Sequence, residues 1–266
     1  MAGIYGRLVV PGIERSTLYT FESLFGFVSR GKDGYPGRWK VERILNRLNV
    51  LIAGLENLRI DMWCNDAFLS PDAPPGTPPH DSPPTPGSAV WWDSRPLADD
   101  GQKWMKIADD VFCINPNTHA VNPVVAVTYS NPTSRIPLLM KICPDTLAEM
   151  VRTSIQTDMR HRPRLHIDGI SLDSVRDGSL TTTLIHELTH SDFLLGDDVT
   201  EDIEGMESAY GWAEAVYIAR VSENDALENA DNFALFVLAM FLSLNHWGTG
   251  VSEKMFDAAP WDLSPP

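Results

Sequence analysis

The segment SLTTTLIHELTHSDFLL, residues 179–195, carries the clearest structural signal in this 266-residue chain. Leu180, Leu184 and Leu188 recur at four-residue spacing, which is typical of one face of an α-helix. Ser179 precedes the first of them and can accept a hydrogen bond from a backbone N–H of the first helical turn. The pattern therefore predicts a helix that begins after Ser179.

Within that helix the chain reads His-Glu-Leu-Thr-His, an HExxH motif that contains His186, Glu187 and His190. Residues at i and i+4 lie one turn apart on the same face, so both imidazoles can reach a single Zn2+ ion. Glu187 points toward the open coordination position, where it can act as general base on the attacking water. The alternative, two surface histidines that flank a glutamate, is disfavoured because the segment is apolar and compatible with a helix.

The motif predicts a third zinc ligand further along the chain, because a catalytic site needs three protein ligands and an open position. The metzincin extension is absent, since Phe193 and Gly196 occupy its glycine and third-histidine positions. Among the acids that follow, Glu207 is favoured because it opens a helical pattern in which Tyr210 comes one turn later. The alternative is that Glu207 is an ordinary first-turn acid, stabilised by the helix dipole. The full set of acidic candidates is Asp192, Asp197, Asp198, Glu201, Asp202, Glu204 and Glu207.

Three features make the chain resemble the deuterolysin-type fungal metallopeptidases, the aspzincins, which include the lysine-specific metalloendopeptidases. They are TLIHELTH, the Tyr210-Gly211 pair with an acid three residues before the tyrosine, and NADNFALF at Asn229–Phe236. Together they cover roughly residues 140–240. The N-terminal third of the chain carries none of the resemblance.

The resemblance implies that His186, His190 and Glu207 bind zinc and that Glu187 is the general base. It also implies that Tyr210 donates a hydrogen bond to the oxyanion. The family motif reads G-T-x-D-x-x-Y-G, whereas residues 204–211 read EGMESAYG, so the Gly-Thr pair is lost and glutamate replaces the ligand aspartate.

The resemblance further assigns Asp231 to the substrate pocket. A second acid, found three residues later in lysine-specific members, is replaced here by Ala234, so lysine specificity is not expected. An alternative reading makes Asp231 a helix-surface or capping residue. Family members are secreted, although the N-terminus of this chain shows no recognisable secretory signal.

The sequence predicts an α+β protein with a zincin-like metallopeptidase fold, helix-rich with a small sheet at the edge of the cleft. Residues 1–70 form an N-terminal helical segment with an amphipathic helix from Trp39 to Trp63, residues 71–97 a proline-rich linker or loop, and residues 98–266 the catalytic domain. The runs VVAVTY and PLLMKIC predict strands.

Composition excludes several classes of protein. The formal net charge of −15 disfavours nucleic acid or an anionic membrane as partner, because phosphates would be repelled. No stretch approaches about 18 consecutive apolar residues, so no membrane-spanning helix is expected. The cysteines Cys64, Cys113 and Cys143 allow either one disulfide with one free thiol or three reduced thiols.

These observations predict an enzyme, a monomeric zinc metalloendopeptidase that hydrolyses a protein or peptide substrate. The alternatives are a zinc-binding relative that has lost proteolysis and a hydrolase repurposed for a small amide or ester. Glu187 argues against a purely structural site, which has no use for an acid that does not bind the metal.

Overall fold

The computed structural model describes residues 15–28, 37–57, 60–76, 90–95, 104–107, 111–122, 124–130, 138–152, 168–242 and 245–254. The α-helices in these ranges are α1 (Arg15–Phe25), α2 (Arg38–Asn57), α3 (Pro144–Arg152), α4 (Leu172–Asp177), α5 (Leu180–Thr189), α6 (Asp192–Leu195), α7 (Trp212–Val221), α8 (Glu223–Glu228) and α9 (Ala230–Phe241), and a 3-10 helix spans Gly196–Asp198. The strands are β1 (Ile60–Trp63), β2 (Leu69–Ser70), β3 (Val90–Asp93), β4 (Trp104–Lys106), β5 (Ala126–Ser130), β6 (Leu138–Ile142), β7 (Asn245–His246) and β8 (Glu253–Lys254). The predicted α+β class is confirmed.

The sheet nearest the HExxH helix has three strands in the order β1-β6-β5. Strand β6 pairs parallel with β1 and antiparallel with β5, so β6 lies in the middle. All five residues of β6 are buried, as expected for a central strand. Both strands predicted from VVAVTY and PLLMKIC are thereby confirmed.

The amphipathic helix predicted from Trp39 to Trp63 is present, but its predicted end is wrong. The amphipathic pattern from Trp39 forms α2, but the helix stops at Asn57 and residues 60–63 form β1. Ile60, Met62 and Trp63 therefore belong to a strand, whose parallel pairing with β6 is a long-range contact that helical periodicity does not reveal.

The predicted proline-rich linker is described only in part. Residues 71–76 form turns and irregular chain, with most of their side chains exposed, whereas Val90–Asp93 form β3 in a second three-stranded sheet. The linker prediction is therefore wrong for those four residues. Residues 77–89, which contain most of the prolines of the predicted linker, lie outside the described residues.

The main hydrophobic core joins the N-terminal helices to the C-terminal ones. Phe21 and Phe25 of α1 pack against Phe236 of α9 with ring centroids 5.5 and 5.6 Å apart. Helix α9 is buried along most of its length and lies at the centre of this core. Helix α5 packs against α9 on one side and against β5 on the other, so the core fixes the HExxH helix beside the edge of the sheet.

The start of α5 follows the sequence prediction. The Ser179 hydroxyl accepts a hydrogen bond from the Thr182 backbone N–H, which is the N-cap arrangement. The helix ends at Thr189, and Ser191 caps the short α6 in the same way. The predicted helical run of residues 179–195 is therefore two helices separated by a break at His190–Ser191.

A disulfide between Cys113 and Cys143 ties the loop at residues 111–122 to the end of β6, and Cys64 is free and exposed. This settles the two cysteine alternatives in favour of one disulfide. Beside it, the buried Lys141 ammonium donates to Asp66 Oδ1 at 2.6 Å and to Val111 O at 2.7 Å. A covalent bond and a buried ion pair therefore hold the same loop against the sheet.

None of the helices in the described ranges has the length and hydrophobicity needed to cross a bilayer.

Replacing both Cys113 and Cys143 by serine is expected to lower the free energy of unfolding by about 2–4 kcal/mol, because the crosslink closes a long loop. Urea unfolding followed by circular dichroism measures the change. Cys64→Ser is the matched control and is expected to leave the unfolding midpoint unchanged. Equal unfolding midpoints for the wild type, the double serine variant and Cys64→Ser would contradict a stabilising crosslink.

Candidate metal centre

His186, His190 and Asp202 bring three ligand atoms together at the surface of α5. His186 Nε2 lies 3.1 Å from Asp202 Oδ1, His190 Nε2 lies 3.5 Å from the same oxygen, and the two Nε2 atoms are 3.2 Å apart. Among the described residues, this is the one group of three or more His, Cys, Asp or Glu residues with its ligand atoms close enough to hold a metal ion.

The dimensions of this triangle fit a tetrahedral zinc ion. Ligands about 2.0–2.1 Å from a tetrahedral centre are separated from each other by about 3.3 Å. The three observed separations lie within a few tenths of an ångström of that value. Two imidazole nitrogens, one carboxylate oxygen and an open fourth position form the donor set of a catalytic zinc site.

The outer nitrogens of both histidines also have partners. His190 Nδ1 lies 2.9 Å from Thr200 O, and because a carbonyl only accepts, this nitrogen must carry the hydrogen. The lone pair of His190 is then on Nε2, facing the cluster. His186 Nδ1 lies 3.6 Å from Asp231 Oδ1. Such outer partners orient metal-binding imidazoles and fix their tautomers.

Backbone and side-chain hydrogen bonds hold Asp202 in place from both sides. On one side, Thr200 N donates to Thr189 O at 2.9 Å and joins the loop to the end of α5. On the other side, Ile203 N donates to the buried side chain of Asn229 at 3.1 Å. Between them, Glu201 exchanges backbone hydrogen bonds with the α8–α9 junction. Asp202 is thus a fixed part of the site although its side chain is partly exposed.

Glu187 lies beside the cluster without belonging to it. Its side chain is buried, and its Oε2 accepts a hydrogen bond from the Thr128 hydroxyl of β5 at 3.0 Å. Burial raises the pKa of Glu187, and the charges of His186 and His190 offset part of that rise. A carboxylate with a raised pKa beside an open metal position is suited to accept a proton.

The histidines and carboxylates of the cluster influence each other's protonation. Burial opposes protonation of His186, but the carboxylates of Asp202 and Asp231 outweigh it and raise the pKa of His186 to about 10. The pKa of Asp202 falls, because its hydrogen bonds to His186 and His190 outweigh its own partial burial. The pocket thus attracts positive charge at the point where the three ligand atoms meet.

Tyr210 borders the same site. Its hydroxyl donates to Asp202 Oδ2 at 3.0 Å, and its ring centroid lies 5.7 Å from that of His186. Partial burial, followed by the charge of Asp202, raises the pKa of Tyr210 and keeps the phenol protonated. The next residue, Gly211, has φ of +99°, a backbone conformation that a side chain would strain. This turn at Gly211 allows α7 to start at the next residue, Trp212.

Asp231 connects three parts of the site. Its Oδ2 accepts hydrogen bonds from Arg176 Nη1 at 2.8 Å and from the Gly211 backbone N–H at 2.6 Å, while its Oδ1 faces His186. Asp231 borders the cleft, where the resemblance placed a substrate-pocket acid. Its carboxylate is nonetheless engaged by protein donors, including a guanidinium.

Glu207 does not join the ligand cluster, so the prediction that it is the third ligand needs correction. Glu207 is exposed and lies in a bend, and α7 begins only at Trp212. The assumed helical start at Glu207 fails because Glu214 accepts a hydrogen bond from the Met206 N–H and holds the preceding chain in a non-helical path. Asp202, another of the acidic candidates, places a carboxylate oxygen beside the two histidine nitrogens instead.

The cluster opens into a cleft of about 740 Å³. Residues 124–128, which run from the chain before β5 into that strand, line the cleft together with residues of α3. The residues that line the cleft include Val111, Val124, Val125, Ala126, Val127, Thr128, Thr146 and Met150 on the sheet side, with Arg176, Asp177, Thr182, Thr183, Glu201 and Tyr210 around the metal cluster.

No protein-family model, curated protein or solved structure matches the chain. The resemblance to aspzincins therefore stays a prediction, and function is inferred from the geometry and chemistry of the site.

Asp231→Ala is expected to lower the free energy of unfolding by about 3 kcal/mol, because it leaves the Arg176 guanidinium and the Gly211 N–H without their buried acceptor. Urea unfolding in the presence of EDTA measures the change without any contribution from metal. Asp177→Ala is the matched control. Its carboxylate pairs with the same arginine but is 60% exposed, so a loss below about 1 kcal/mol is expected. Similar losses for both variants would show that Asp231 has no special structural role.

Proposed function

We propose that the chain is a zinc-dependent metallopeptidase with a zincin-like α+β fold. The observation that carries the proposal is the triangle of His186, His190 and Asp202 ligand atoms, with the buried carboxylate of Glu187 next to it at the head of a cleft. A structural zinc site would have four protein ligands and no reason to keep an acid that does not bind.

The residues present fit zinc by donor type and by spacing. His186 and His190 supply nitrogen and Asp202 supplies oxygen, which is a normal set for this ion. A zinc ion held there would supply Lewis acidity, polarising the scissile carbonyl and lowering the pKa of water. The network around the ligands, Thr200 at His190 and Asp231 at His186, keeps both rings oriented for it.

Glu187 acts as general base and later as general acid. Its raised pKa allows it to take a proton from the attacking water and to return that proton to the leaving amine. The Thr128 hydroxyl donates to Oε2, which leaves Oε1 free to face the reacting atoms. Thr128 is a positioning residue that fixes the direction of this carboxylate.

Tyr210 supplies a hydrogen-bond donor near the metal position. Because its pKa is raised, the phenol keeps its proton at neutral pH and can donate to the negative oxygen that forms at the carbonyl. Its present acceptor, Asp202 Oδ2, is the second oxygen of a ligand carboxylate. The hydroxyl therefore already lies within hydrogen-bond distance of the coordination shell.

The edge of β5 supports a peptide substrate. The cleft is lined by consecutive residues 124–128, whose side chains alternate between the two faces of the sheet, so the edge of the strand and not one face borders the cleft. Cys143 N–H donates to Val125 O, so Val125 and every second residue after it direct their backbone groups to β6. The backbone groups of Ala126 and Thr128 then point to the other edge. Among the described residues β5 has no partner there, and an extended peptide can pair with it.

Purified protein is expected to hold one zinc ion per chain. Asp202→Ala is expected to weaken zinc binding by more than about 100-fold, since loss of an outer partner alone typically costs 10–100-fold. Glu207→Ala is the matched control, an acid of the same loop outside the ligand cluster, and is expected to keep wild-type affinity. Elemental analysis and competition with a zinc chelator measure both. Loss of zinc in Glu207→Ala with retention in Asp202→Ala would reverse the ligand assignment.

The zinc-loaded protein is expected to cleave peptides in a mixed library. Glu187→Gln is expected to keep its zinc and lose detectable turnover, because an amide cannot accept the proton. Tyr210→Phe is expected to lower kcat by about 100-fold with little change in KM, since the hydroxyl acts on charge that develops in the transition state. Mass spectrometry of the digest provides the measurement. Zinc binding without cleavage of any peptide would leave a metal-binding protein that is not a peptidase.

A further inference from the structure

We propose that this site selects substrates with a large apolar side chain, such as leucine, methionine or phenylalanine, on the side of the cleaved bond toward Val124. The side chain enters the part of the cleft formed by Val111, Val124 and Met150. The inference rests on the proposed peptidase function, because it describes the substrate of that same site.

The three side chains of this apolar wall carry no charge and no hydrogen-bond donor. Val111, Val124 and Met150 contribute hydrocarbon surface, and the hydroxyl of Thr146, which also lines the cleft, donates to Val124 O at 3.5 Å. A substrate methyl or methylene group buried here gains about 25 cal/mol per Å² of apolar area. A lysine ammonium in the same place would lose hydration without gaining a partner.

The wall is also held rigid, which lowers the cost of ordering it when a substrate binds. The buried Lys141 ammonium donates to the carbonyl of Val111, and Asp66 anchors that ammonium from the other side. The disulfide at Cys143 closes the same loop, and the Cys143 N–H holds Val125. The apolar surface is therefore part of the folded framework.

The acids that border the cleft are not placed to receive a substrate cation deep inside it. Asp231 is saturated by Arg176, the Gly211 N–H and His186. Asp177 pairs with the same guanidinium, and Glu201 is exposed to solvent. Apart from Glu187 and Asp202, which the proposed mechanism uses as general base and zinc ligand, the described lining residues include no free buried carboxylate that would bind lysine as in a basic-specific pocket.

The position of the subsite follows from the strand. Thr128, which touches the general base, and Val124 are four residues apart, or about 14 Å at 3.4 Å per residue. A peptide that pairs with Ala126 and Thr128 therefore places the selected side chain within about four positions of the cleaved bond.

The first test is the cleavage profile of the zinc-loaded protein on a mixed peptide library. Leucine, methionine or phenylalanine is expected at one position within four residues of the cut, favoured over lysine by about tenfold or more. Val124→Asp is expected to reverse that preference toward lysine and arginine at the same position. Val121→Asp is the matched control, because this residue of the same loop is 65% exposed and does not line the cleft. An unselective profile, or a basic preference in the wild type, would overturn the proposal.

A binding measurement separates this inference from the peptidase proposal. Heptapeptides that are alanine except for one leucine or one lysine, placed in turn at each position, are titrated calorimetrically into zinc-treated Glu187→Gln protein. At one position the leucine peptide is expected to bind at least about tenfold tighter, and Val124→Asp is expected to abolish that difference. This result without cleavage by the wild type would refute the peptidase alone. Equal affinities, tighter binding of lysine, or no binding of any peptide would refute the apolar subsite.

Discussion

Two buried asparagines, Asn229 and Asn232, join the helical core to the loop that carries Asp202. The Asn232 amide donates to Leu24 O at the end of α1 and to Ala215 O in α7, and Asn229 donates to Asn232 at 2.6 Å while accepting from Ile203 N. Each buried amide must be satisfied, so the positions of three helices and one loop are mutually dependent. The NADN segment is therefore the structural link between the packed interior and the candidate metal centre.

The chain is strongly acidic, yet basic side chains in its interior connect many of its helices, strands and loops. Arg47 is fully buried and donates to Asp198, which connects α2 to the loop after α6. Lys141 connects the middle of the sheet to Asp66, and Arg176 connects α4 to Asp231. Each of these cations pairs with an acid far away in the sequence. Buried ion pairs are costly to break singly, so they fix the relative positions of the elements around the cleft more than they add to net stability.

Sequence reasoning succeeded where the signal is local and failed where it is not. The HExxH helix, its Ser179 cap and the two strands were all predictable, since periodicity and capping are properties of neighbouring residues. Asp202 could be placed among the acidic candidates but not singled out, because its position depends on Thr189 and Asn229, which are distant in the chain. Thr128 was missed entirely, since nothing in a strand sequence indicates that one hydroxyl will meet Glu187. Glu207 was wrongly favoured as the third ligand because the helical pattern in the sequence continues across Gly211, whereas in the structure the helix begins only after the turn at that residue.

In the proposed peptidase, the hydrogen bond from Thr128 to Glu187 makes one residue part of both the strand edge that pairs with the peptide and the group that transfers the proton. The backbone of Thr128 faces the edge of β5 that has no partner strand among the described residues, and its side chain donates to the carboxylate. For the proposed peptidase, a peptide long enough to pair along this edge would restrain the strand and, with it, the direction of the base. Binding energy from residues remote from the cut would then be used to align the reacting groups, and shortening the peptide would reduce the rate of turnover more than it reduced occupancy of the site.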